Sequence, residues 1–307
     1  MPISTTSVGK LLEPTLNVIV GLNYPADQDE WRQMGFSINK ATKRTEEDVM
    51  FSGFGIVPDK ADGAPLTYDV AQEGWSARYT QNEKALGFSV TEQCVEDELY
   101  LNIVPKMAMH LKKSFVVTKN IEGADVFNNA FDATVTGGDG VSLCNTAHPL
   151  TGPSGGTFSN MLAVGADISE AALEDMLMAI GNLIDERGKP CNLRARKLIV
   201  SNRGGDQFEA ARILQSEYRT GTADNDINAI VKNKYIPEGF VDSQFLTDDD
   251  RFFILTDCKD GLKYFEKVKF QSKMEGDFET GNMRYKGRER YVFGWTDPRH
   301  VFGSNPA

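Results

Sequence analysis

The stretch Leu143-Cys144-Asn145-Thr146-Ala147-His148-Pro149-Leu150 lies near the middle of a 307-residue chain and has neither helix nor strand periodicity. Glycine-rich turns bound it, Gly137-Gly138-Asp139-Gly140 before it and Gly152-Pro153-Ser154-Gly155-Gly156 after it. The stretch contains a cysteine and a histidine four residues apart, the residue types of a thiol nucleophile and its base. The predicted elements on both sides of it determine the fold class.

The strongest predicted helix comes before this stretch, over residues 91–115. Apolar residues recur at every fourth position and predict one stripe, formed by Val95, Leu99, Ile103, Met107 and Leu111. Ser89 and Glu92 have the spacing of a capping box at its start, and Pro105 predicts a kink near Leu101. At 1.5 Å per residue, such a helix spans about 37 Å, which is long for a chain of this size.

Helices and strands are interspersed after the stretch. A helix is predicted over residues 169–186 and ends before Gly188 and Pro190. The other predicted elements are strands at 197–201, 252–255 and 262–265, a helix at 206–218, and β-structure over 283–303. Because no regular βαβ rhythm is present, the fold class is α+β.

Residues 51–90 are predicted to form an extended β-hairpin. Leu66, Tyr68 and Val70 alternate with polar residues, and so do Trp75 and Tyr79. An isolated hairpin of this size is marginally stable, so its aromatic residues need a surface to pack on. That surface is either a neighbouring subunit or the core of the same chain, and both alternatives stay open. Residues 1–30 are predicted to be an arm with a short helix at 8–13.

Composition limits the classes of partner. Hydrophobic residues make up 40% of the chain and charged residues 25%, which is typical of a globular protein. The net charge is -11 without a basic stretch, so tight wrapping of nucleic acid is not expected, although an acidic protein suits a container wall. No signal peptide is recognised, and the apolar run at 16–22 is too short to span a membrane. We therefore expect a cytosol-like compartment and no membrane contact.

The residues that could carry chemistry are scattered. The four cysteines are Cys94, Cys144, Cys191 and Cys258, and no two of them are close in sequence. This spacing predicts reduced thiols rather than a disulfide framework or a zinc site. The glycine turns lack the Lys-Ser/Thr of a phosphate-binding loop, and the acidic runs at 224–226 and 248–250 lack EF-hand spacing. Cys144 and His148 lie outside any signature of a thiol enzyme. No catalytic, cofactor-binding or metal-binding residue is therefore predicted.

The quoted stretch, with the Gly/Ser loop and Ser159-Asn160 after it, resembles the major head proteins of tailed bacteriophages, above all the Mu-like major head subunits. In that family an Asn-Thr-Ala-His-Pro-Leu stretch follows a long helix and precedes a helix like the one predicted at 169–186. Thr91-Glu92-Gln93 resembles the start of the family's spine helix. Asn225-Asp226-Ile227-Asn228 and Gly294-Trp295-Thr296-Asp297-Pro298-Arg299 also resemble family signatures. The resemblance covers about residues 45 to 303.

The resemblance implies the Hong Kong 97-type capsid fold, with six segments. Residues 1–50 would be the N-terminal arm and 51–90 the extended β-hairpin loop. Residues 91–150 would be the peripheral domain with its spine helix, and 151–257 the axial domain. Residues 258–298 would return as peripheral-domain strands, and 299–307 would close on the axial domain.

The implied function is that of a major capsid protein rather than an enzyme. It would self-assemble through pentamers and hexamers into the icosahedral head that encloses double-stranded phage DNA without sequence-specific binding. It would be part of the virion, assembled in the host cytoplasm, with a separate scaffolding protein, a portal and a possible decoration protein as partners. The expected contacts between subunits are Leu66, Tyr68, Trp75, Arg78 and Tyr79.

Three other functions remain as alternatives. A nanocompartment shell would share the fold but enclose enzymes. A soluble hydrolase would use Cys144 as nucleophile and His148 as base. A tail or portal protein would form tubes or rings. Some relatives crosslink a loop lysine, but no motif supports such chemistry at Lys60 or Lys84, and none is predicted.

Overall fold

A computed structural model of the chain describes residues 29–306 except 64, 97–99, 153–154, 220–225, 260 and 278, and leaves aside the side chains of 95–96 and 100–103. The predicted helix at 8–13 lies outside the described residues. The first elements are β1 (Ser37–Lys40), β2 (Thr45–Ser52), β3 (Gln72–Thr80), β4 (Asn82–Val90), α1 (Glu92–Glu96) and α2 (Tyr100–Asn128). The middle elements are β5 (His148–Pro149), β6 (Thr157–Phe158), α3 (Glu170–Gly181), β7 (Ala195–Ser201) and α4 (Asp206–Gln215). The last are α5 (Ala229–Lys232), β8 (Phe240–Ser243), β9 (Phe252–Thr256), β10 (Leu262–Gly276), β11 (Met283–Trp295) and β12 (Val301–Ser304).

The first sheet has the strand order β1-β10-β11-β4, and α2 packs on one of its faces. β10 and β11 form a long antiparallel hairpin, β4 pairs antiparallel with β11, and β1 runs parallel to β10. The apolar layer between α2 and the sheet contains Val104, Ala108, Leu111, Phe115 and Tyr285. Burial of this layer removes apolar surface from water and holds the helix on the sheet.

The second sheet has the strand order β12-β9-β7-β8 and carries α3 and α4. Its core side chains include Leu198, Val200, Phe252, Ile254 and Phe302, packed against Leu173, Met176 and Ile180 of α3. Ser169 caps α3, because its hydroxyl oxygen accepts the N–H of Ala172 at 3.2 Å. Since β12 follows β11 in sequence and pairs with β9, the end of the chain joins the two sheets.

The predicted hairpin exists, but its first strand was placed wrongly. β3 pairs with β2, from Thr45↔Thr80 to Ser52↔Gln72, so the hairpin begins at residue 45 rather than 51. Residues 53–71, which we call the hairpin tip, contain no strand among those described. Leu66, Tyr68 and Val70 are all exposed, so their alternation with polar residues marks no face that the described residues bury.

Two helix predictions also need correction. Ser89 is paired with Arg284 inside the first sheet, so the capping box is wrong. α2 continues beyond residue 115 to Asn128, because Ala124 and Phe127 add fully buried apolar positions to its inner face. Met107 is 43% exposed and lies outside the buried stripe; the side chains of residues 95, 99 and 103 lie outside the described set.

α3 ends at Gly181 rather than near residue 186. The following segment turns back on itself, with a bridge between Ile184 and Pro190 and a bond from the N–H of Cys191 to the carbonyl of Leu183 at 2.9 Å. The predicted strands at 197–201 and 252–255 are confirmed, and those at 262–265 and 283–303 extend or divide into β10, β11 and β12. Within the described residues, no helix is long and apolar enough to cross a membrane.

Candidate interaction surfaces

His148, from the stretch quoted first, lies at the centre of a buried polar network. Its Nδ1 is 2.6 Å from Oδ2 of Asp139, and its Nε2 is 3.0 Å from Oδ1 of Asn160. The imidazole stacks on Phe158 at a centroid distance of 4.9 Å. His148 and Asn160 are fully buried, so these contacts replace solvent as hydrogen-bond partners.

Asn160 connects this network to the end of the chain. Its Nδ2 donates to the carbonyls of Leu143 at 2.7 Å, Pro298 at 3.0 Å and Val301 at 3.0 Å. Because these carbonyls fix which end of the amide is the donor, Oδ1 must face His148 as an acceptor. Both ring nitrogens of His148 are therefore held by polar side chains, Asp139 on one side and Asn160 on the other. Through Asn160, residues 143–150 are joined to the segment that leads into β12.

Cys144 does not form a catalytic pair with His148. Its side chain is buried, and burial raises the pKa of the thiol far above its ordinary value, which disfavours the reactive thiolate. Both ring nitrogens of His148 are already bound to other groups. The geometry at this pair therefore offers no activated nucleophile of the kind the hydrolase alternative requires.

A second buried polar cluster surrounds Arg299. Its guanidinium lies 2.6 Å from Oε1 of Glu186 and 3.5 Å from Oδ1 of Asp297, and it stacks over Phe158 at 4.1 Å. Glu186 also accepts the N–H of Thr151 at 2.5 Å. Arg299 and Glu186 are almost fully buried, so the ion pair ties the loop after α3 to the turn before β12.

Two of the predicted contact residues pack within their own chain. Trp75 is 7% exposed and donates from Nε1 to the carbonyl of Thr296 at 3.0 Å. Tyr79 is 3% exposed, with its hydroxyl 2.6 Å from Oγ1 of Thr296 and its ring 4.7 Å from that of Phe265. This packing corresponds to the alternative left open above, in which the aromatic residues pack on the core of their own chain. Trp75 belongs to the core cluster of the second sheet, whereas Tyr79 lies on the first sheet.

The other predicted contact residues face outward. Leu66 and Tyr68 are 66% and 88% exposed, and Arg78 is exposed with its guanidinium 3.8 Å from Glu47. Sequence reasoning missed further exposed apolar residues of the hairpin tip, namely Phe54, Ile56 and Val57. The sequence feature that could have identified them is a run of large apolar residues interrupted by glycine and proline, a pattern that does not predict a strand. A cluster of exposed apolar side chains of this kind is typical of an interaction surface.

The hairpin tip is tied to its own chain through its backbone. Arg187 donates from Nε to the carbonyl of Gly53 at 3.1 Å and from Nη2 to the carbonyl of Val70 at 2.5 Å. Lys189 donates to the carbonyl of Phe54, and Asp69 accepts the N–H of Gly55 at 2.7 Å. These bonds hold the two ends of the tip while its apolar side chains stay exposed.

A groove of about 950 Å³ lies between α3, α5 and the start of β7. Leu177, Met178 and Tyr235 contribute apolar surface, and Glu174 and Arg194 contribute charge. Its lining contains no cysteine, histidine or serine. In the described part of the chain, no group of three or more His, Cys, Asp or Glu side chains could hold a metal ion.

Comparison with protein families identifies a related family. A family model described as "Phage capsid protein" matches residues 76–303, well over half of the chain. No curated protein matches the sequence.

Solved structures show the same fold at low sequence identity. The capsid of an empty GTA particle is 10% identical with a TM-score of 0.57, covering 91% of each chain. The capsid of the cyanophage P-SCSP1u is 10% identical with a TM-score of 0.55, covering 89% of this chain and 86% of that one. A virus-like particle from Pyrococcus furiosus is 10% identical with a TM-score of 0.53, covering 94% and 98%. The expected Hong Kong 97-type fold is thereby confirmed.

Proposed function

The chain belongs to the phage capsid protein family, and from this membership we propose that it is the major head subunit, assembling through pentamers and hexamers into an icosahedral shell. The observation that supports assembly is that the hairpin tip exposes large apolar side chains although its backbone is held in place. Such a surface is stabilised when another copy removes it from water.

The two sheets supply the proposed division of the subunit. The sheet of β1, β10, β11 and β4, with α2 as its spine helix, corresponds to the peripheral domain. The sheet of β12, β9, β7 and β8, with α3 and α4, corresponds to the axial domain, whose copies would meet at the centre of each pentamer or hexamer. Residues 1–50 would form the arm, whose last part contributes β1 to the first sheet and most of β2 to the hairpin. The pairing of β12 with β9 supports closure of residues 299–307 on the axial domain.

The hairpin would make the contacts between subunits. Leu66, Tyr68 and Arg78 are exposed and would reach a neighbouring copy directly. Trp75 and Tyr79 remain part of the proposed contact region, where they fix the base of the hairpin to Thr296, the residue that directly follows β11.

The proposed shell encloses double-stranded DNA without reading its sequence, because a chain of net charge -11 repels phosphates rather than gripping them. Its location would be the virion, after assembly in the host cytoplasm with a separate scaffolding protein, a portal and possibly a decoration protein. The protein would act without catalysis, which agrees with the buried thiol of Cys144.

The direct test is electron microscopy of the purified protein, together with light scattering over a range of salt and protein concentrations. Closed spherical particles, or pentamers and hexamers that close when salt is changed, are the expected result. A chain that stays monomeric under all conditions and in the presence of its scaffolding protein, or that forms only rings, contradicts the proposal.

A nanocompartment shell would pass the same test, since it shares the fold. The content of particles produced in cells separates the two functions. We expect particles produced with the phage packaging machinery to contain double-stranded DNA that is protected from nuclease. Particles that enclose one enzyme and no DNA under these conditions would support the nanocompartment instead.

A further inference from the structure

The groove between α3, α5 and the start of β7 is an apolar surface that the described residues leave open. Met178 belongs to α3 and Tyr235 follows α5, and these two large side chains are 59% and 50% exposed. Leu177 and Leu193 also line the groove and pack on the core beneath it. Apolar surface of this extent is stabilised when another segment removes it from water.

Two cations stand at the edge of this groove. Arg194 and Lys234 line it, both are exposed, and within the described part of the chain neither forms an ion pair. Arg196, in contrast, is paired with Glu238. The groove therefore suits an apolar segment that has a carboxylate next to it, because the two available cations would attract that carboxylate.

The described part of the chain begins beside the groove. Lys197 donates from Nζ to the carbonyl of Gln33 at 3.1 Å, and the same nitrogen lies 3.1 Å from Oε2 of Glu238. Glu238 directly follows Pro237, which belongs to the groove lining. Residue 29 is four residues before Gln33, at most about 14 Å of chain. The start of the described chain is thus close to the edge of the groove.

The segment before residue 29 contains an apolar run that fits such a groove. Five of the seven residues in 16–22 are large and apolar, and none is charged. The six residues 23–28 separate this run from the described chain and span at most about 20 Å when extended. Glu13, three residues before the run, supplies a carboxylate. Because a 28-residue segment is too small to build a core of its own, the run is stabilised by burial elsewhere.

We propose that residues 16–22 dock in the groove between α3, α5 and β7 of the same chain. The inference goes beyond the proposed function, because it concerns the single subunit and holds whether or not that subunit assembles. The hairpin tip is another exposed apolar segment, but Arg187 and Lys189 hold its ends at the loop after α3. A short connection favours the groove of the same copy, since a tethered segment has an effective concentration on the order of millimolar.

Site-specific photocrosslinking in the 307-residue chain tests the docking. The photoreactive amino acid p-benzoylphenylalanine replaces Ile19, at the centre of the run, and the unassembled subunit is irradiated at low protein concentration. Proteolysis and mass spectrometry then locate the attachment point. We expect attachment to the groove lining, above all to Met178 and Tyr235, in a product of monomer mass. The position control carries the same amino acid at Thr5, outside the run, and should not label the groove.

A groove variant separates docking from chance contact. Met178→Glu with Tyr235→Glu places carboxylates in the apolar groove, where an unpaired buried charge is costly, so attachment to the lining should fall at least about tenfold. The matched control is Phe208→Glu with Val164→Glu, at positions 62% and 81% exposed outside the groove. It should keep the yield within about twofold of the parent chain. Circular dichroism checks that each variant is folded.

Attachment from position 19 outside the groove lining, equal labelling of the groove from position 5, or an unchanged yield in the folded groove variant overturns the docking. A product of twice the subunit mass with the attachment in the groove also overturns it, because the occupant then belongs to another copy. None of these results bears on the proposed function, which fails only if the wild-type chain does not assemble into shells.

Discussion

Nε2 of His148 lies 3.0 Å from Oδ1 of Asn160, and both side chains are fully buried. The amide of Asn160 also reaches the carbonyls of Leu143, Pro298 and Val301, so a single side chain connects the loop before β5 with the segment entering β12. The stretch that carries the family resemblance therefore acts through hydrogen bonding within the subunit, and its histidine is a structural residue.

Asn160→Ala should destabilise the subunit strongly. The change removes the partner of three buried carbonyls and of the His148 ring, and each buried polar group left unpaired costs about 1–3 kcal/mol. We expect the free energy of unfolding to fall by about 3 kcal/mol or more in urea denaturation of the unassembled subunit. Asn82→Ala, at an exposed position of β4, is the control. A loss below about 1 kcal/mol would mean that water satisfies these groups.

Cys144 should resist alkylation in the folded subunit. Burial raises the pKa of its thiol, so the thiolate that reacts with iodoacetamide is scarce, and the sulfur is also inaccessible. We expect Cys144 to react at least about 100-fold more slowly than Cys94, measured by mass spectrometry at pH 8. All four cysteines should react alike in denaturant. Rapid native labelling of Cys144 would revive it as a candidate nucleophile.

Arg299→Met should lower the free energy of unfolding by more than the loss of side-chain packing alone would. The substitution keeps much of the volume but leaves the carboxylates of Glu186 and Asp297 without their cation in a buried site. Removing one partner of such a pair costs about 3–5 kcal/mol. Chemical denaturation measures the change, and Arg203→Met, at an exposed position, should lie within about 0.5 kcal/mol of the wild type. Equal effects of the two substitutions would contradict the role of the pair.

Asp206 should make the subunit less stable as pH rises. Burial, with repulsion from Asp250 and Asp167, raises the pKa of its carboxyl from 3.8 to about 6. A group whose pKa is higher in the folded state favours folding while protonated, and this contribution is lost as pH rises from about 4 through 6. Asp206→Asn should therefore stabilise the subunit by about 1 kcal/mol at pH 7.5, after allowance for solvent screening, and by almost nothing at pH 3.5.

Thermal denaturation at these two pH values measures the effect. Glu209→Gln, in the same turn of α4, controls for the loss of a negative charge near the helix N-terminus. A stabilisation of the same size at both pH values would show that it does not arise from the titration of Asp206.

Leu66→Ser with Tyr68→Ser should impair assembly without unfolding the subunit. Both side chains are exposed in the isolated chain, so their removal should change the free energy of unfolding by less than about 0.5 kcal/mol. Loss of two apolar anchors from an interface should raise the concentration needed for assembly by about tenfold or more. Val164→Ser, at a position 81% exposed outside the hairpin tip, is the control. Unchanged assembly would show that the hairpin tip stays in solvent.

Local pattern was enough to predict the buried elements. The strands at 197–201 and 252–255 were found because continuous apolar runs reflect burial on both faces. The long helix was found, but its end was not, since the burial of Ala124 and Phe127 depends on tertiary contacts. The exposed side of β11 could have been recognised as basic from the alternation of Arg284, Lys286, Arg288 and Arg290, whereas the position of Lys273 opposite Lys286 depends on the register of the sheet.

The hairpin shows where pattern misleads. Leu66, Tyr68 and Val70 alternate as a half-buried strand does, but no described part of their own chain buries them. The partner of β3 is β2, a segment rich in carboxylates that gave little strand signal. The Asn160 network was also missed, because its partners at Pro298 and Val301 are far away in sequence.

The contacts of Arg187 with the hairpin tip have a consequence for how this surface can change over generations. Arg187 binds the carbonyls of Gly53 and Val70, groups that every amino acid possesses. Apart from Asp69, whose carboxylate accepts the N–H of Gly55, residues between those two positions can therefore be substituted to alter the shape and polarity offered to another copy while the loop ends stay anchored. The side chains of the tip can thus change while its backbone keeps its position, so the contacts with another copy can evolve without loss of the fold.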